Sequence, residues 1–209
     1  MNLFEIVSVS TSVGLLGGYH LWLAHQIAHR PARTIVGYST AGRREWVRSI
    51  MQQRRDILAV QTLRNWSTAA SFLATTAILI ATGVLHFLTT IPEQPQLLHE
   101  LNFLGSPDPA WLTVKLLVMV IDLLVVFFNF VVAIRYYNHV SIEVNVPDPT
   151  EANIAAVQRL MDRGGLHFTL GMRCFYLSVP LALWLFGALW LLLGSIALCI
   201  ALFGMDRLH

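Results

Sequence analysis

Four stretches of this chain are apolar and long enough to cross a lipid bilayer, and they constrain its fold more than any other feature. A helix needs about 20 residues to span a hydrocarbon core of roughly 30 Å. Of the 209 residues, 56% are hydrophobic and 12% are charged, and a soluble domain normally carries about twice that charged fraction. We therefore predict an integral membrane protein with spans at residues 4–27, 67–89, 111–136 and 170–203.

The positive charges indicate how these spans are oriented. Twelve of the 14 Lys and Arg residues lie in two segments, 30–64 and 135–173, whereas the connection 91–110 has three acids and no base. The positive-inside rule places basic connections in the cytoplasm. We therefore predict one all-α domain over residues 1–209, a four-transmembrane-helix bundle with both termini outside.

The first cytoplasmic connection, residues 28–66, contains a basic amphipathic pattern. After a turn-rich stretch at 37–42, apolar residues such as Val47 and Ile50 recur at helical spacing, which predicts a helix that continues into the second span. A basic amphipathic helix of this kind lies among lipid headgroups, and we expect anionic lipid rather than nucleic acid as the partner. The five arginines that line its polar face are Arg43, Arg44, Arg48, Arg54 and Arg55.

The second cytoplasmic connection, residues 137–169, carries its own helix start signal. Asp148 suits the cap position, Pro149 the first helical position, and Glu151 completes a capping box. The pair Gly164-Gly165 is expected to end this helix. The pattern predicts a second interfacial helix, which can equally be a packing contact or a partner surface.

Three polar residues interrupt the third span at intervals of seven. Lys115, Asp122 and Asn129 lie on one stripe of the predicted helix. An acid at mid-membrane depth costs several kcal/mol unless it faces protein, a partner or water. The stripe therefore predicts a transport path centred on Asp122. The alternative is a buried polar network that fixes the packing of the helices.

Histidines mark the cytoplasmic ends of the spans. His25 and His29 stand one turn apart, a spacing that allows two imidazoles to bind one metal, and His139 and His167 lie at the same level. The chain has no HExxH or CxxCH motif, and interfacial histidines commonly bond carbonyl groups. We keep a metal or haem site as a third hypothesis and predict no cofactor.

Several segments resemble a family of bacterial and plant membrane proteins, the domain of unknown function 599 family. They include HRP (29–31), QTLRN (61–65), RYYNH (135–139) and GMRCFY (171–176), which is followed by Pro180. The resemblance implies a multi-span membrane protein of about this length, here assigned to the bacterial inner (plasma) membrane. It indicates seven candidate functional residues at the predicted cytoplasmic face: Gln61, Arg64, Asn65, Arg135, His139, His167 and Arg173.

The leading hypothesis for function is a small channel- or transporter-like protein that forms a homo-oligomer around the path at Asp122. Arg64, Arg135 and Arg173 would then shape its cytoplasmic mouth. The alternative is a lipid-binding or scaffold subunit of a membrane complex, in which a partner provides the activity. Because no phosphate loop or nucleophile elbow is visible, we do not expect an enzyme.

Overall fold

The computed structural model describes residues 3–90 and 109–207, and these residues form an all-helical bundle, as predicted. They contain no β-strand, and a short 3₁₀ turn at Pro31–Arg33 joins the first two helices. In chain order, the α-helices of these ranges are α1 (Leu3–His29), α2 (Ile35–Gln53), α3 (Asp56–Thr90), α4 (Pro109–Glu143), α5 (Glu151–Trp184) and α6 (Ala188–Asp206).

Five of the described helices, all except α2, are long and apolar enough to cross a membrane. The first three predicted spans each lie within one helix, but the predicted span 170–203 is divided between α5 and α6. Backbone bonds from Leu185, Phe186 and Gly187 to the carbonyls three residues earlier close the end of α5. Gly187 then takes a φ of 140°, which strongly favours glycine. The single overlong span was wrong, and the count of four is not confirmed.

Helices α3, α4 and α5 form the centre of the bundle, with α4 between the other two. Small residues on α3 allow it to approach α4 closely, where they pack in one cluster with Leu123, Val126 and Phe130. The small residues at this interface are Ala70, Ala74, Ala77 and Ala81, all buried.

Helix α1 packs mainly against α6, and these two helices run in the same direction. Near their N-terminal ends, Val9 packs against the cluster that contains Leu191. Near their C-terminal ends, the rings of Trp22 and Phe203 lie 5.7 Å apart. The start of α1 and the end of α6 therefore lie at opposite ends of the bundle. The predicted placement of both termini on one side does not fit this arrangement.

The basic helix α2 packs into the protein. Val47, Ile50 and Met51 are buried in a cluster with residues of α3, α4 and α5. The predicted turn at 37–42 is helical, and α2 ends at Arg54, whose φ of 51° interrupts the path into α3. Two predictions were therefore wrong: the turn at 37–42 and the continuous helix from α2 into α3. Packing against the bundle favours a helix through the glycine-containing stretch, and the helix is interrupted at Arg54.

Helix α5 begins two residues later than the sequence signals suggest. Thr150 is its cap and forms a capping box with Asn153. The helix continues through Gly164 and Gly165, so the predicted helix end at this pair was wrong. Both glycines are packing positions: a Cβ on Gly164 would lie 2.7 Å from the ring of Tyr137. The predicted acidic outer connection falls on residues 91–108, outside the described residues.

Candidate functional site

Asp122 lies in the wall of a cavity between α1, α4, α5 and α6. The cavity has a volume of about 650 Å³, and its lining is almost entirely apolar. We call it the Asp122 cavity. Its lining residues are Val9, Ser12, Val13, Leu16, Gly17, His20, Val118, Ile121, Asp122, Val125, Leu177, Leu181, Trp184 and Leu191.

The polar groups of the Asp122 cavity divide into two kinds. Ser12 donates to the carbonyl of Ser8 at 2.8 Å, and the Nδ1 of His20 lies 2.8 Å from the carbonyl of Leu16, so both are engaged by their own helix. In contrast, the Oδ2 of Asp122 and the Nε1 of Trp184 are buried and have no hydrogen-bond partner among the described residues. Two residues of the cavity wall, Asp122 and Trp184, therefore each carry one buried polar atom whose hydrogen-bonding capacity is unused among the described residues.

Lys115 does not join Asp122 but belongs to a separate contact nearer the start of α1. Its ammonium nitrogen lies 5.9 Å from the ring centroid of Trp184, and it interacts electrostatically with the buried Glu5. The attraction between opposite charges that are buried together offsets part of the cost of removing each from water.

Asn129 forms a third contact, two turns beyond Asp122. Its amide nitrogen donates to the carbonyl of Val125 at 2.9 Å, so its Oδ1 faces the Nδ1 of His167 at 3.0 Å. The ring of His167 also stacks on Tyr136 at 5.8 Å. Lys115, Asp122 and Asn129 thus lie on one stripe but meet three different environments, and Asp122 is the member that lines a cavity.

Arg173, one of the residues brought forward by the resemblance, holds three helices together. Its Nη2 donates to Asp206 of α6 at 2.7 Å, and these side chains are only 12% and 9% exposed. The hydroxyl of Tyr19 on α1 donates to the other carboxylate oxygen of Asp206 at 2.5 Å. We call these three residues the buried ion network.

The other residues brought forward by the resemblance are less enclosed. His167 is half-buried, whereas Gln61, Arg64, Asn65, Arg135 and His139 are exposed. Arg64 lines a groove of about 540 Å³ between α3 and α4, and Arg173 lines a different cavity. The structure therefore does not bring Arg64 and Arg173 to a common mouth.

Three of the five arginines predicted to hold lipid form ion pairs with acids on α5 or just before it. Arg44 pairs with Asp162 at 2.7 Å and Arg48 with Glu151 at 3.0 Å, and Arg54 pairs with Asp148. Arg55 is exposed and Arg43 is half-buried. These pairs dock α2 onto α5.

Arg43 is a half-buried cation of α2. A Cβ on Gly165 would lie 2.8 Å from the Cζ of Arg43, so the guanidinium rests directly on the α5 backbone. Burial lowers the pKa of the Arg43 guanidinium below its usual value, and nearby Tyr137 and Asp162 oppose this shift. Gly165, one of the pair that was expected to end a helix, thus makes room for the Arg43 guanidinium.

The two histidines considered as metal ligands contact each other. The rings of His25 and His29 stack at 4.0 Å, and the Nδ1 of His29 lies 3.0 Å from the carbonyl of His25. Across residues 3–90 and 109–207, no three His, Cys, Asp or Glu residues are grouped as metal ligands. The metal hypothesis therefore gains no support from the described residues.

Sequence reasoning missed Glu5, Tyr19, Asp206 and Trp184. A signal was present for the two acids, since Glu5 is the only acid of α1 and Asp206 the only acid of α6. An ionisable residue in an apolar span is a site hypothesis by default. Glu5 lies in the predicted span 4–27 and meets this rule, whereas Asp206 lies just after the predicted span 170–203. Tyr19 and Trp184 carry no such signal.

Comparison with known proteins gives a family but no activity. The family model described as "Protein of unknown function, DUF599" matches residues 7–209 of the chain. The comparisons with curated proteins and with solved structures gave no match. The match covers nearly the whole chain and confirms the resemblance carried by the motifs. This chain of apolar helices, with a mostly apolar cavity that includes Asp122 between them, therefore belongs to the DUF599 family of proteins of unknown function.

Proposed function

We propose that this protein is a non-enzymatic membrane protein that binds a lipophilic molecule with a cationic or hydrogen-bond-donating group and carries it in the manner of a transporter. The observation that supports this proposal is the position of Asp122. Its Oδ2 has no partner among the described residues, and its side chain lines a cavity of otherwise mostly apolar character. The apolar lining suits the body of such a ligand, and the carboxylate suits its polar group.

The size of the Asp122 cavity fits a small molecule. Ligand sites in proteins commonly enclose about 300–1,000 Å³ and are apolar with a few well-placed polar groups. A volume of about 650 Å³ lies in the middle of that range. A hydrogen bond to a charged group contributes about 1.5–3 kcal/mol, so one carboxylate can select among ligands of similar shape.

The packing of α1 gives the ligand a route. Helix α1 packs mainly against α6, which leaves a cleft on its α4 side. A Cβ added at Gly14, Gly17 or Gly18 would meet nothing within 4 Å, so this part of α1 is not tightly covered. A molecule dissolved in the bilayer would enter the Asp122 cavity sideways, between α1 and α4.

We also propose an orientation that differs from the predicted one. Arg207 stacks on Phe203 and Trp22, and its backbone pairs with Thr34. The end of α6 therefore lies beside the first basic connection. The positive-inside rule then favours a cytoplasmic position for this end and an outer position for Leu3. A bacterial inner (plasma) membrane remains our predicted location.

A fluorescence titration tests the binding proposal. Because Trp184 lines the Asp122 cavity, octylamine added to the protein in nanodiscs is expected to change the tryptophan emission, and Trp184→Phe is expected to remove that change. Asp122→Asn is expected to weaken octylamine binding about tenfold to a hundredfold, as loss of one charge-assisted hydrogen bond implies. Octane, which has no hydrogen-bond donor, is expected to bind both proteins alike.

Asp148→Asn is the matched control, since Asp148 is an exposed acid far from the cavity. It is expected to bind octylamine like the wild type. Equal octylamine affinity in the wild type and in Asp122→Asn would contradict the proposal. So would an emission change that persists in Trp184→Phe.

A second candidate function is ion conduction through a homo-oligomer, and the groove between α3 and α4 favours it. Five Ser and Thr residues line this outer face, and a second copy that covered it would enclose a polar route. The polar lining of the groove consists of Arg64, Ser67, Thr68, Ser71, Thr75, Asn138 and Ser141.

Ion flux into liposomes tests this candidate. If a path passes through the groove, Ser71→Leu is expected to block flux that Asp122→Asn leaves intact, whereas a path at Asp122 predicts the opposite. Absence of flux in the wild type across monovalent and divalent ions would rule out conduction.

A further inference from the structure

A second cavity, separate from the Asp122 cavity, lies where α2, α5 and α6 meet near the basic end of the bundle. It has a volume of about 300 Å³ and is lined by Arg43 of α2, Arg173 of α5 and Asp206 of α6. Ser39 and Tyr176 add hydroxyl groups to the same lining. We call it the two-arginine cavity.

Both arginines have hydrogen-bonding capacity left over. The Nε of Arg43 and the Nη1 of Arg173 are buried and have no partner among the described residues. The other contacts of these side chains fix their positions: Arg43 donates from Nη2 to Thr40 at 2.9 Å, and Arg173 donates to Asp206 at 2.7 Å. A buried guanidinium N–H without an acceptor is unfavourable, and both of these groups belong to residues that line the same cavity.

The charge balance of the two-arginine cavity is positive. Asp206 is its one carboxylate among the lining residues, and its two oxygens already accept from Arg173 and Tyr19. Asp162 also acts on Arg43 electrostatically. Its Oδ2 is held by Arg44 at 2.7 Å, whereas its Oδ1 accepts no hydrogen bond among the described residues, and Asp162 does not line the cavity. Among the described residues Arg43 forms no ion pair, so the Asp162 carboxylate compensates its charge without a direct contact. An anion with several acceptor oxygens supplies both the charge and the hydrogen bonds that are missing.

From this arrangement we infer that the two-arginine cavity binds a phosphate group, held between the guanidinium groups of Arg43 and Arg173. Arginine forks match the geometry of phosphate oxygens, and hydroxyl groups such as that of Ser39 complete the donor set. The phosphate has two sources, the headgroup of a phospholipid or free phosphate. This site is independent of the ligand proposed for the Asp122 cavity.

The test uses purified full-length protein in maltoside micelles, with the thermal unfolding midpoint as the readout of binding. One arm adds inorganic phosphate against chloride at constant ionic strength. The other arm adds phosphatidylglycerol against diacylglycerol, which lacks the phosphate. Stabilisation by phosphatidylglycerol alone identifies a lipid headgroup, and stabilisation in both arms identifies a site that also takes free phosphate.

Variants of α2 distinguish phosphate binding in the two-arginine cavity from nonspecific binding to the positive surface of this helix. Arg43→Gln is expected to weaken binding of the stabilising molecule at least tenfold, whereas Arg48→Gln, an exposed arginine of the same helix, is expected to bind like the wild type. Equal losses in the two variants, or no stabilisation of the wild type in either arm, would overturn the inference.

A second measurement uses the wild-type protein, so its result does not depend on whether a variant folds. Phenylglyoxal modifies arginine side chains, and mass spectrometry locates the modified residues. The stabilising molecule is expected to slow modification of Arg43 at least fivefold and to leave the rate at Arg48 unchanged. Equal protection of both residues, or protection of neither, would contradict a phosphate site at Arg43.

Discussion

Loss of Asp206 is expected to destabilise the bundle strongly, because this carboxylate joins α6 to both α5 and α1. Arg173 and Asp206 form a 2.7 Å contact at 12% and 9% exposure, and Tyr19 donates to the second oxygen of Asp206. Removal of one partner from a buried ion pair leaves the other charge uncompensated and costs about 3–5 kcal/mol. Asp206→Ala is therefore expected to lower the free energy of unfolding by about 3–5 kcal/mol.

The chain contains a matched control for this prediction. Arg48 and Glu151 form a 3.0 Å ion pair whose side chains are 40% and 69% exposed. Exposed pairs contribute about 0–1 kcal/mol and are screened by salt. Glu151→Ala is therefore expected to lower the free energy of unfolding by no more than about 1 kcal/mol. The two variants remove the same kind of charge and differ mainly in the burial of the pair.

The assay is reversible unfolding in mixed micelles with a rising mole fraction of dodecyl sulfate, followed by circular dichroism. The double variant Arg173→Met, Asp206→Leu is expected to recover part of the loss, since replacing both charges removes the unpaired one. A loss below about 1 kcal/mol for Asp206→Ala, within the range of exposed pairs, would refute the reasoning. So would equal losses for Asp206→Ala and Glu151→Ala.

Three further predictions concern the packing of the bundle and use the same unfolding assay. Gly187→Ala is expected to cost about 1–3 kcal/mol, because φ at this turn is 140°, and an unchanged stability would contradict the described turn. Asn129→Ala and His167→Ala are expected to show a coupling of about 0.5–1.5 kcal/mol in a double-mutant cycle, and additive effects would disprove their contact. Ala77→Leu is expected to cost about 1–3 kcal/mol through overpacking against α4, whereas Ala69→Leu, on the exposed side of α3, is the neutral control.

Hydropathy was sufficient to predict the helices but not where they break. The predicted spans 4–27, 67–89 and 111–136 fall inside α1, α3 and α4 because long apolar runs have few alternatives in a bilayer. Hydropathy did not predict the turn between α5 and α6. Leu185 and Phe186 are as apolar as their neighbours, so the turn depends on the backbone of Gly187 and leaves no trace in hydropathy.

For α2, the amphipathic pattern predicted a helix but not what its apolar face contacts. Arginines and apolar residues at helical spacing predicted a helix among lipid headgroups, and the pattern itself is real. Yet Val47 and Ile50 are buried in protein, and Arg44 pairs with Asp162. An apolar face packs equally well against lipid or protein. Periodicity alone therefore cannot identify its partner.

The candidate sites required contacts between residues that are far apart in the chain. Asp122 was predictable as an acid in an apolar helix, but the cavity beside it depends on the packing of four helices. Tyr19 and Asp206 are separated by 187 residues, and Arg43 meets Gly165 only because α2 docks on α5. Such contacts follow from tertiary packing, which one sequence does not reveal.

The most direct test of the proposed function is an experimental structure of the protein in nanodiscs with bound octylamine. We expect ligand density in the Asp122 cavity, with the amine nitrogen about 2.7–2.9 Å from Oδ2 of Asp122, the usual length of a charge-assisted hydrogen bond. The alkyl chain should extend along Val118 and Leu181, which line the cavity. A structure with an empty cavity at saturating octylamine, or with α1 closed against α4 and Asp122 paired within the protein, would contradict the account.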